Sequence, residues 1–380
     1  MTHCPVQHHG MSKAKGCSHA RLGNFGKLFP KLPSCPLTEE QARLLGGKNS
    51  PMHDTDNSSG DSNIPAAYTF FAQFVDHDIT LDTTTDLHGA PLSNKEIEGL
   101  PNLRTPTLDL DCVYGFGPEA SPHLYVGATA PGRLVEGNRH NANDLPRAEN
   151  GTALIGDPRN DENIFVSQMQ LLFIRFHNKI YDMQVAEHGA GERFEAAQEI
   201  TRHHYQYLVV HDFLKRICDK DIFDFALNKV KQGDYPLVYG PDKHGELPMP
   251  VEFSVAAYRF GHTTVRTTYA ANSLFTEVDL FDERFGTTGF SSVPNDLVVD
   301  WRFLLDVEKC LPPQKTKRFD LKFASELICM PDPIVGRQAS DNERSLAFRN
   351  LLRGHALSLP SGQDVATALK AAGYPISLAF

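Results

Sequence analysis

A segment near residue 75 carries polar side chains that could move protons. The stretch AAYTFFAQFVDHD is apolar, yet Gln73 and His77 fall on the same helical face as two phenylalanines, where burial is expected. Buried polar groups need partners or cost about 1–3 kcal/mol each. At about 100° per residue, Asp76 lies on the side of Gln73 and His77, whereas Asp78 points elsewhere. We therefore expect the two acids to serve different purposes.

Asp78 has a plausible set of partners in the later stretch RTPTLDLD. Hydroxyl and carboxylate side chains there alternate with proline and leucine, so an extended backbone places their oxygens on one side. The oxygen-bearing residues are Thr105, Thr107, Asp109 and Asp111. A hard cation with six to eight oxygen ligands would suit them, and Ca²⁺ fits better than Mg²⁺. The alternative is a strand with a polar face, and the spacing is not that of an EF-hand.

The stretch GDPRNDE precedes the strongest helical periodicity in the chain. Arg159 lies just before the predicted helix and Glu162 just inside it, so both could reach one ligand from the same side. The alternative is a surface ion pair at a helix start, where acids favour the helix dipole in any case.

Two further segments suggest a bound planar metal cofactor. His262 follows Gly261 within a predicted helix, where glycine costs about 1 kcal/mol relative to alanine. Close approach of something flat to the backbone would be a reason for that glycine. An axial histidine on a haem iron would be such a case, and a core histidine is the alternative. Asn350 could accept the second N–H of a metal-bound imidazole, with Arg353 one turn away to pair a propionate. A solvated helix face is the alternative for these two.

In this order, the segments resemble the animal-type haem peroxidases, the superfamily of myeloperoxidase, lactoperoxidase and shorter bacterial relatives. The resemblance covers roughly residues 20 to 375 and depends on six pieces. These are FFAQFVDHD, TPTLDLDCVYG, GDPRNDE with LLFIRFHNKI, AAYRFGH, DWRFLLD and LAFRNLLRG.

The resemblance implies a role for each residue around haem b. His77 is the expected distal histidine, Arg159 the distal arginine and Gln73 a pocket residue, all three catalytic. His262 is the expected axial iron ligand and Asn350 its hydrogen-bond partner. The expected propionate partners are Arg259 and Arg353.

The resemblance also implies covalent links and calcium. Asp76 and Glu162 match the carboxylates that become ester-linked to haem methyl groups. Asn163 stands where myeloperoxidase has a methionine, so a third, sulfonium link is not expected. The expected calcium ligands are Asp78, Thr105, Thr107, Asp109 and Asp111, the last replacing the serine of mammalian members.

The implied activity is a peroxidase that reduces hydrogen peroxide and oxidises a halide, thiocyanate or small phenolic donor through a ferryl intermediate. A fatty-acid dioxygenase of the same superfamily is the alternative. Those enzymes carry a radical-forming tyrosine three residues before the axial histidine, whereas Arg259 stands there and Tyr258 lies one place earlier. Remote alternatives are a non-catalytic haem-binding protein and a non-haem HD-type phosphohydrolase, suggested by the His77–Asp78 pair.

The periodicity predicts a mainly α protein with long loops and little β structure. Expected helices share apolar residues at spacings of three and four and span about 64–79, 161–187, 192–217, 251–269, 341–355 and a short one from Ser361. Asn63 and Pro65 are expected to begin the first, and Gly189 to end the second. We expect one large haem-peroxidase domain at residues 21–380 behind a flexible leader at 1–20.

Composition narrows the classes of partner. A formal net charge of −10 disfavours nucleic acid, and no apolar run is long enough to span a membrane. The beginning of the chain lacks the apolar core of a signal peptide, so a cytoplasmic location is the default expectation. Seven widely spaced cysteines indicate neither a disulfide framework nor a zinc ribbon. The His- and Cys-containing leader is a weaker candidate for metal binding.

Overall fold

A computed structural model describes residues 23–183, 190–234, 238–241, 247–308 and 311–377. The predicted leader at 1–20 and the predicted helix end at Gly189 lie outside these residues. The described cysteines, Cys35, Cys112, Cys218 and Cys329, are free thiols. Within the described ranges, no helix is long and apolar enough to cross a membrane.

The predicted mainly α architecture with long loops is confirmed, and strands are short. The longer α-helices are α1 (Glu39–Gly46), α2 (Ala67–Ile79), α6 (Ile164–Met183), α7 (Ala190–Leu208), α9 (Lys220–Lys231), α12 (Leu346–Ala356) and α13 (Gly362–Ala371). Short α-helices are α3 (Asn94–Glu98), α4 (Asp111–Tyr114), α5 (Gly117–Ala120), α8 (Leu214–Ile217), α10 (Ser325–Ile328) and α11 (Asp332–Val335).

Among the described residues, seven strands form three small sheets. They are β1 (Gly23–Gly26), β2 (Asp61–Pro65), β3 (Pro101–Asn102), β4 (Met249–Pro250), β5 (Thr268–Tyr269), β6 (Val278–Asp279) and β7 (Lys315–Lys317). Strand β1 lies between β3 and β4, β2 pairs with β7 in antiparallel orientation, and β5 pairs with β6 in the same way. The sheets therefore fasten loops together rather than form a layer of the core.

Helix α2 begins three residues later than predicted. Asn63 and Pro65 belong to strand β2, and Ala66 precedes the helix without a side-chain cap. The main-chain N–H groups of Ala66 and Ala67 instead donate to the carbonyls of Gln314 and Leu304. Tertiary pairing of the backbone thus replaced the local capping that the sequence indicated.

Helix α2 lies between the two main apolar clusters of the protein. Phe74 stacks on Phe173 of α6 at a centroid distance of 4.6 Å in one cluster. Phe70 stacks on Phe165, also at 4.6 Å, in the other. Burying each ring contributes about 1.5–3 kcal/mol, so this packing fixes the rotation of α2 about its axis. Its polar residues are thereby oriented as well.

The two predicted long helices are present with altered ends. A 3₁₀ turn, Pro158–Asp161, precedes α6, so Arg159 and Glu162 lie in and just after that turn rather than at the start of the helix. Helix α7 continues through a π-helical turn, Val209–Phe213, into α8, which matches the predicted span to residue 217.

The segment predicted as a helix over 251–269 is shorter and irregular. A π-helical stretch, Glu252–Ala257, passes into a 3₁₀ stretch, Tyr258–Thr264, and β5 follows. His262 therefore lies on 3₁₀ backbone, in the second part of an element whose winding changes once, between Ala257 and Tyr258.

The C-terminal helices are close to expectation. Helix α12 starts at Leu346 rather than near 341, because the Ser345 hydroxyl accepts from the N–H of Phe348 and caps it there. Ser361 caps α13 through the N–H of Asp364, as the sequence predicted.

Candidate functional site

One cavity of about 320 Å³ collects eight of the nine residues expected around haem. They are contributed by α2, the 158–162 turn, the 258–262 segment and α12, and comprise Gln73, Asp76, His77, Arg159, Glu162, Arg259, His262 and Arg353. The ninth, Asn350, touches the ring of His262. Residues separated by up to 280 positions therefore converge at one site, with apolar walls from α10, α11 and the start of α12.

His77 is buried on α2, and its ring is held by a side chain that the sequence analysis did not select. Its Nδ1 is 2.7 Å from Oδ1 of Asn160, which is itself buried in the 158–161 turn. Burial, with the charge of Arg159 as the second cause, lowers the pKa of His77 to about 4. The imidazole is therefore neutral at physiological pH and able to accept a proton.

Arg159 is fixed by several acceptors. Its Nε and Nη2 donate to the carboxylate of Asp157 at 3.0 and 2.7 Å, and Nη2 also donates to the main-chain oxygens of His77 and Thr80. Asp157 also receives Arg104. Although burial alone would raise the pKa of Asp157, the hydrogen bond and charge of Arg159 hold it well below its usual range. No hydrogen bond to a described residue uses Nη1 of Arg159, which leaves it for the cavity.

Gln73 and Glu162 are hydrogen-bonded neighbours in the cavity wall. Nε2 of Gln73 donates to Oε2 of Glu162 at 3.1 Å, and its Oε1 accepts from Asn163 at 3.2 Å. Burial raises the pKa of Glu162 to about 7, although Arg159 opposes the rise. Asp76 accepts from the hydroxyl of Thr80 at 3.2 Å. Both carboxyl groups thus lie beside the cavity while Asp78, two residues on, does not.

His262 and Asn350 are in contact, but with a polarity opposite to that expected. Oδ1 of Asn350 accepts from Nη1 of Arg259 at 3.0 Å, which leaves its Nδ2 facing Nδ1 of His262, also at 3.0 Å. The reason is that a guanidinium can only donate, so it claims the single amide oxygen. Enclosure by the protein, and then the charge of Arg259, lower the pKa of His262 to about 3.

The cavity carries more positive charge than the sequence analysis expected. Arg349 lines it beside Arg259 and Arg353. Burial lowers the pKa of Arg353, which is paired with Asp82 at 2.7 Å. Asp82 and Arg349 were not selected from the sequence, because a single charged residue, in a loop like Asp82 or on a helix face like Arg349, carries no signal of its own.

The residues present suit haem. Two neutral histidines from different elements share the cavity, and arginines offer partners for carboxylates. A Cβ added at Gly261, next to His262, would meet nothing within 4 Å, so free space adjoins that backbone. Aliphatic and thioether side chains add apolar wall, among them Leu327, Met330, Ile334, Val335 and Leu346. This donor set matches a flat apolar ring with an anionic edge and an iron that takes nitrogen ligands.

The expected calcium residues meet behind α2. Oδ2 of Asp109 accepts from the hydroxyls of Thr105 and Thr107 at 2.6 and 2.9 Å, and Oδ2 of Asp78 accepts from the N–H of Leu110. The second carboxylate oxygens of Asp78 and Asp109 are buried with no hydrogen-bond partner in the described structure. Such orphan oxygens are what a cation would satisfy.

Electrostatics give the same picture of an uncompensated acidic cluster. Burial, and then the charge of Asp109, raise the pKa of Asp78 to about 7. The same two causes, with Asp78 third, raise the pKa of Asp111 to about 8. Within the described ranges, however, no group of three or more His, Cys, Asp or Glu side chains has a metal-holding arrangement. The carboxylates are thus close enough to interact but are not gathered into a closed coordination shell.

Comparisons with known proteins give a consistent family. The sequence model of the family described as "Animal haem peroxidase" matches residues 93–288, just over half of the 380 residues. Its span includes Arg159, Glu162 and His262, but neither α2 nor α12. A 117-residue segment, 30% of the chain, is 28% identical to "Peroxidasin homolog pxn-2" of Caenorhabditis elegans and spans 8% of that protein.

Solved structures share the fold at low sequence identity. Peroxidase A from Dictyostelium discoideum is 15% identical with a TM-score of 0.50, over 89% of this chain and 71% of that one. Fatty acid alpha-dioxygenase from Oryza sativa is 16% identical with a TM-score of 0.55, over 92% and 66%. The Arabidopsis thaliana alpha-dioxygenase is 16% identical with a TM-score of 0.56, over 89% and 61%. At these identities the likeness shows the fold alone.

Proposed function

The chain belongs to the animal haem peroxidase family, and we propose that it reduces hydrogen peroxide while oxidising a small donor such as a halide, thiocyanate or a phenol. The observation that carries this proposal is the shared cavity of His77, Arg159 and His262. Haem binding alone would need His262. A buried neutral histidine and a fixed guanidinium beside it are what peroxide chemistry adds.

His77 would move the proton. Hydrogen peroxide must lose a proton from the oxygen that binds, and the departing oxygen must gain one. A neutral imidazole can do both in turn, and the low pKa of His77 keeps it neutral before the reaction. Arg159, which lines the cavity, would stabilise negative charge on the departing oxygen. Gln73 would position the small ligand through its amide, while its bond to Glu162 orients that carboxyl.

A bound haem would supply redox chemistry at its iron, and His262 is the residue that would hold that iron. A neutral histidine that binds iron through Nε2 carries its proton on Nδ1 and needs an acceptor there. The Asn350 amide would therefore have to reverse, releasing Arg259 from its oxygen. A haem propionate is a suitable new partner for Arg259, so cofactor binding and amide reversal would be linked. Arg353 would pair the second propionate, and Asp76 and Glu162 would hold the haem edge through ester links; all three line the cavity.

We also propose that calcium binds between α2 and the 105–111 loop. The orphan oxygens of Asp78 and Asp109 support this, together with the carboxyl group of Asp111 nearby. The loop is held from outside by α7, because Arg202 and Gln206 donate to the carbonyls of Asp109 and Leu108. Calcium would draw the three carboxylates into one shell.

The second candidate function is fatty-acid oxygenation, which the likeness to alpha-dioxygenases keeps open. The hydroxyl of Tyr258, the tyrosine nearest His262 in sequence, donates to the main-chain oxygen of Ala72 at 2.8 Å. Arg259, at the position where those oxygenases carry a tyrosine, is bonded to Asn350. Both observations favour the peroxidase.

The test is an absorption spectrum of the purified protein before and after peroxide, with oxygen uptake on an unsaturated fatty acid measured in parallel. A Soret band that changes with peroxide, without oxygen uptake, is expected. His77→Ala should slow the spectral change by about 10² to 10⁴-fold, the usual range for general acid–base catalysis. His204→Ala removes an exposed histidine outside the cavity and is the matched control. A rate within a few-fold of the wild type for His77→Ala would contradict the role of His77.

A further inference from the structure

Three hydrogen bonds connect the ring of His77 to a main-chain carbonyl on the other side of the buried core. Nδ1 of His77 lies 2.7 Å from Oδ1 of Asn160, and Nδ2 of Asn160 donates to Oε1 of Gln170 at 2.8 Å. Nε2 of Gln170 in turn donates to the carbonyl of Cys112 at 3.2 Å. Asn160 and Gln170 are both 0% exposed, so solvent does not compete for these bonds.

The carbonyl at the end of this series fixes the direction of every bond. A main-chain oxygen can only accept, so the amide nitrogen of Gln170 must face Cys112 and its oxygen must face Asn160. That oxygen requires the amide nitrogen of Asn160, which turns Oδ1 of Asn160 toward His77. An amide oxygen can only accept, so Nδ1 of His77 must carry the proton.

We infer that Asn160 and Gln170 are positioning residues that hold His77 in its Nδ1–H tautomer. The unprotonated nitrogen is then Nε2, the only ring atom left to take a proton from a ligand in the cavity. This inference rests on the proposed function, since a fixed tautomer matters only if His77 transfers protons. The inference gives a positioning role to Gln170, a residue that does not line the cavity.

His262, the other histidine that lines the cavity, shows why the orientation of the asparagine amide has to be fixed. The amide of Asn350 presents its nitrogen to His262, because its oxygen is taken by Arg259. An asparagine beside a histidine therefore imposes either polarity, depending on what holds its other end. The other end of Asn160 is held by Gln170, and Gln170 is fixed in turn by the main-chain carbonyl of Cys112. A main-chain carbonyl remains an acceptor when a ligand binds.

The experiment reads the tautomer directly by nuclear magnetic resonance. Full-length protein with ¹⁵N-labelled histidine is reduced under carbon monoxide, which makes a haem protein diamagnetic. The ring signals of His77 are identified by their loss in His77→Gln. Long-range ¹H–¹⁵N correlations should show a protonated Nδ1 and an unprotonated Nε2. A buried hydrogen bond sustains a preference of roughly tenfold for one form.

Two substitutions at Gln170 test the series at a distance from the ring. Gln170→Met keeps the volume but frees the amide of Asn160 to turn, so the roughly tenfold preference should fall to a mixture of tautomers. Gln170→Glu, protonated in this buried site, can still donate to Cys112 and accept from Asn160, and should restore the single form. Matching thermal unfolding and near-ultraviolet circular dichroism establish that each variant is folded.

The outcomes separate this inference from the proposed function. A protonated Nε2 in the wild type, or an unchanged single tautomer in a folded Gln170→Met variant, would overturn the inference even if the protein is a peroxidase. If Gln170→Met does not fold, the wild-type tautomer alone decides. A missing Soret band or absent peroxide reaction would refute the proposed function, while the tautomer would still be read from the same sample.

Discussion

Removing the proposed calcium ion should destabilise the protein most strongly at neutral pH. Burial and the charge of Asp109 raise the pKa of Asp78 from 3.8 to about 7. The folded state then holds this proton more tightly than the unfolded chain does. Stability from this group is therefore fully present below about pH 4 and is lost as the pH rises through about 7. Calcium would take the place of the proton and restore this contribution to stability.

The expected size follows from that shift. A rise of about three pKa units corresponds to about 4 kcal/mol, at 1.36 kcal/mol per unit. Asp111 shares the same charges, so its own raised pKa is not added. An unfolding entropy of about 2.1 cal/mol/K per residue gives about 0.8 kcal/mol/K for a chain of this length. Chelation should thus lower Tm by about 5 °C at pH 7.5, and by distinctly less at pH 5, where Asp78 is largely protonated.

The assay is differential scanning calorimetry with EDTA or with calcium, at both pH values. Asp109→Asn removes the charge that acts on Asp78. We expect its metal-free form to unfold at a higher temperature than metal-free wild type, with no response to calcium. Asp341→Asn makes the same chemical change at an exposed site and should behave as wild type. A wild-type Tm that moves by less than about 1 °C on chelation at pH 7.5 would refute the reasoning.

Three further expectations concern the cavity and its support. His262→Ala should be purified without a Soret band, and added imidazole should restore it; an undiminished band would rule out axial ligation. Arg147→Met should lower the free energy of unfolding in urea by about 3–5 kcal/mol. The substitution leaves two buried carboxylates without their cation, namely Asp144 and Asp161, which lie 2.8 and 2.7 Å from the guanidinium. The partly exposed pair of Arg302 and Asp300 is the control, worth about 1 kcal/mol or less. After peroxide treatment, acid–acetone should extract all haem from an Asp76→Asn, Glu162→Gln double variant but not from wild type, and complete extraction from wild type would contradict both esters.

The polar face of α2 is what the sequence revealed best. The spacing of Gln73 and His77 among phenylalanines predicted burial, and the rotation between Asp76 and Asp78 predicted two separate environments. The structure places Asp76 at the cavity and Asp78 against Leu110 of the loop. Both results follow from helix geometry, which depends only on neighbouring positions.

The partners that fix the site were less accessible to sequence reasoning. Asn160 lies inside a stretch already singled out, but its link to His77 spans 83 positions and depends on how the 158–161 turn packs. The polarity of Asn350 depends on a guanidinium 91 positions away. Hydrogen-bond direction is a property of the assembled network, and no local pattern of residue types encodes it.

The type of helix before His262 also could not be predicted from the spacing of apolar residues. Apolar spacing predicted one continuous helix, whereas the π-helical and 3₁₀ stretches divide the segment between wide and tight turns. The π-helical stretch begins at buried Glu252, whose carboxylate accepts from the N–H groups of Leu28 and Phe29. Propensity cannot anticipate a carboxylate anchored 223 positions away.

The π-helical stretch Glu252–Ala257 has a consequence for changes in chain length. A π turn accommodates one residue more than an α turn, so deleting one residue there would let the backbone relax to ordinary α winding. Every residue after the deletion would otherwise be displaced by about 100° around the axis, His262 included. The extra residue accommodated by the π-helical stretch therefore sets the direction in which His262 points from the helix axis. A one-residue deletion in this stretch should therefore leave the direction of His262 unchanged, whereas a one-residue insertion should not, and substitutions should be tolerated at its exposed residues, Phe253, Ala256 and Ala257.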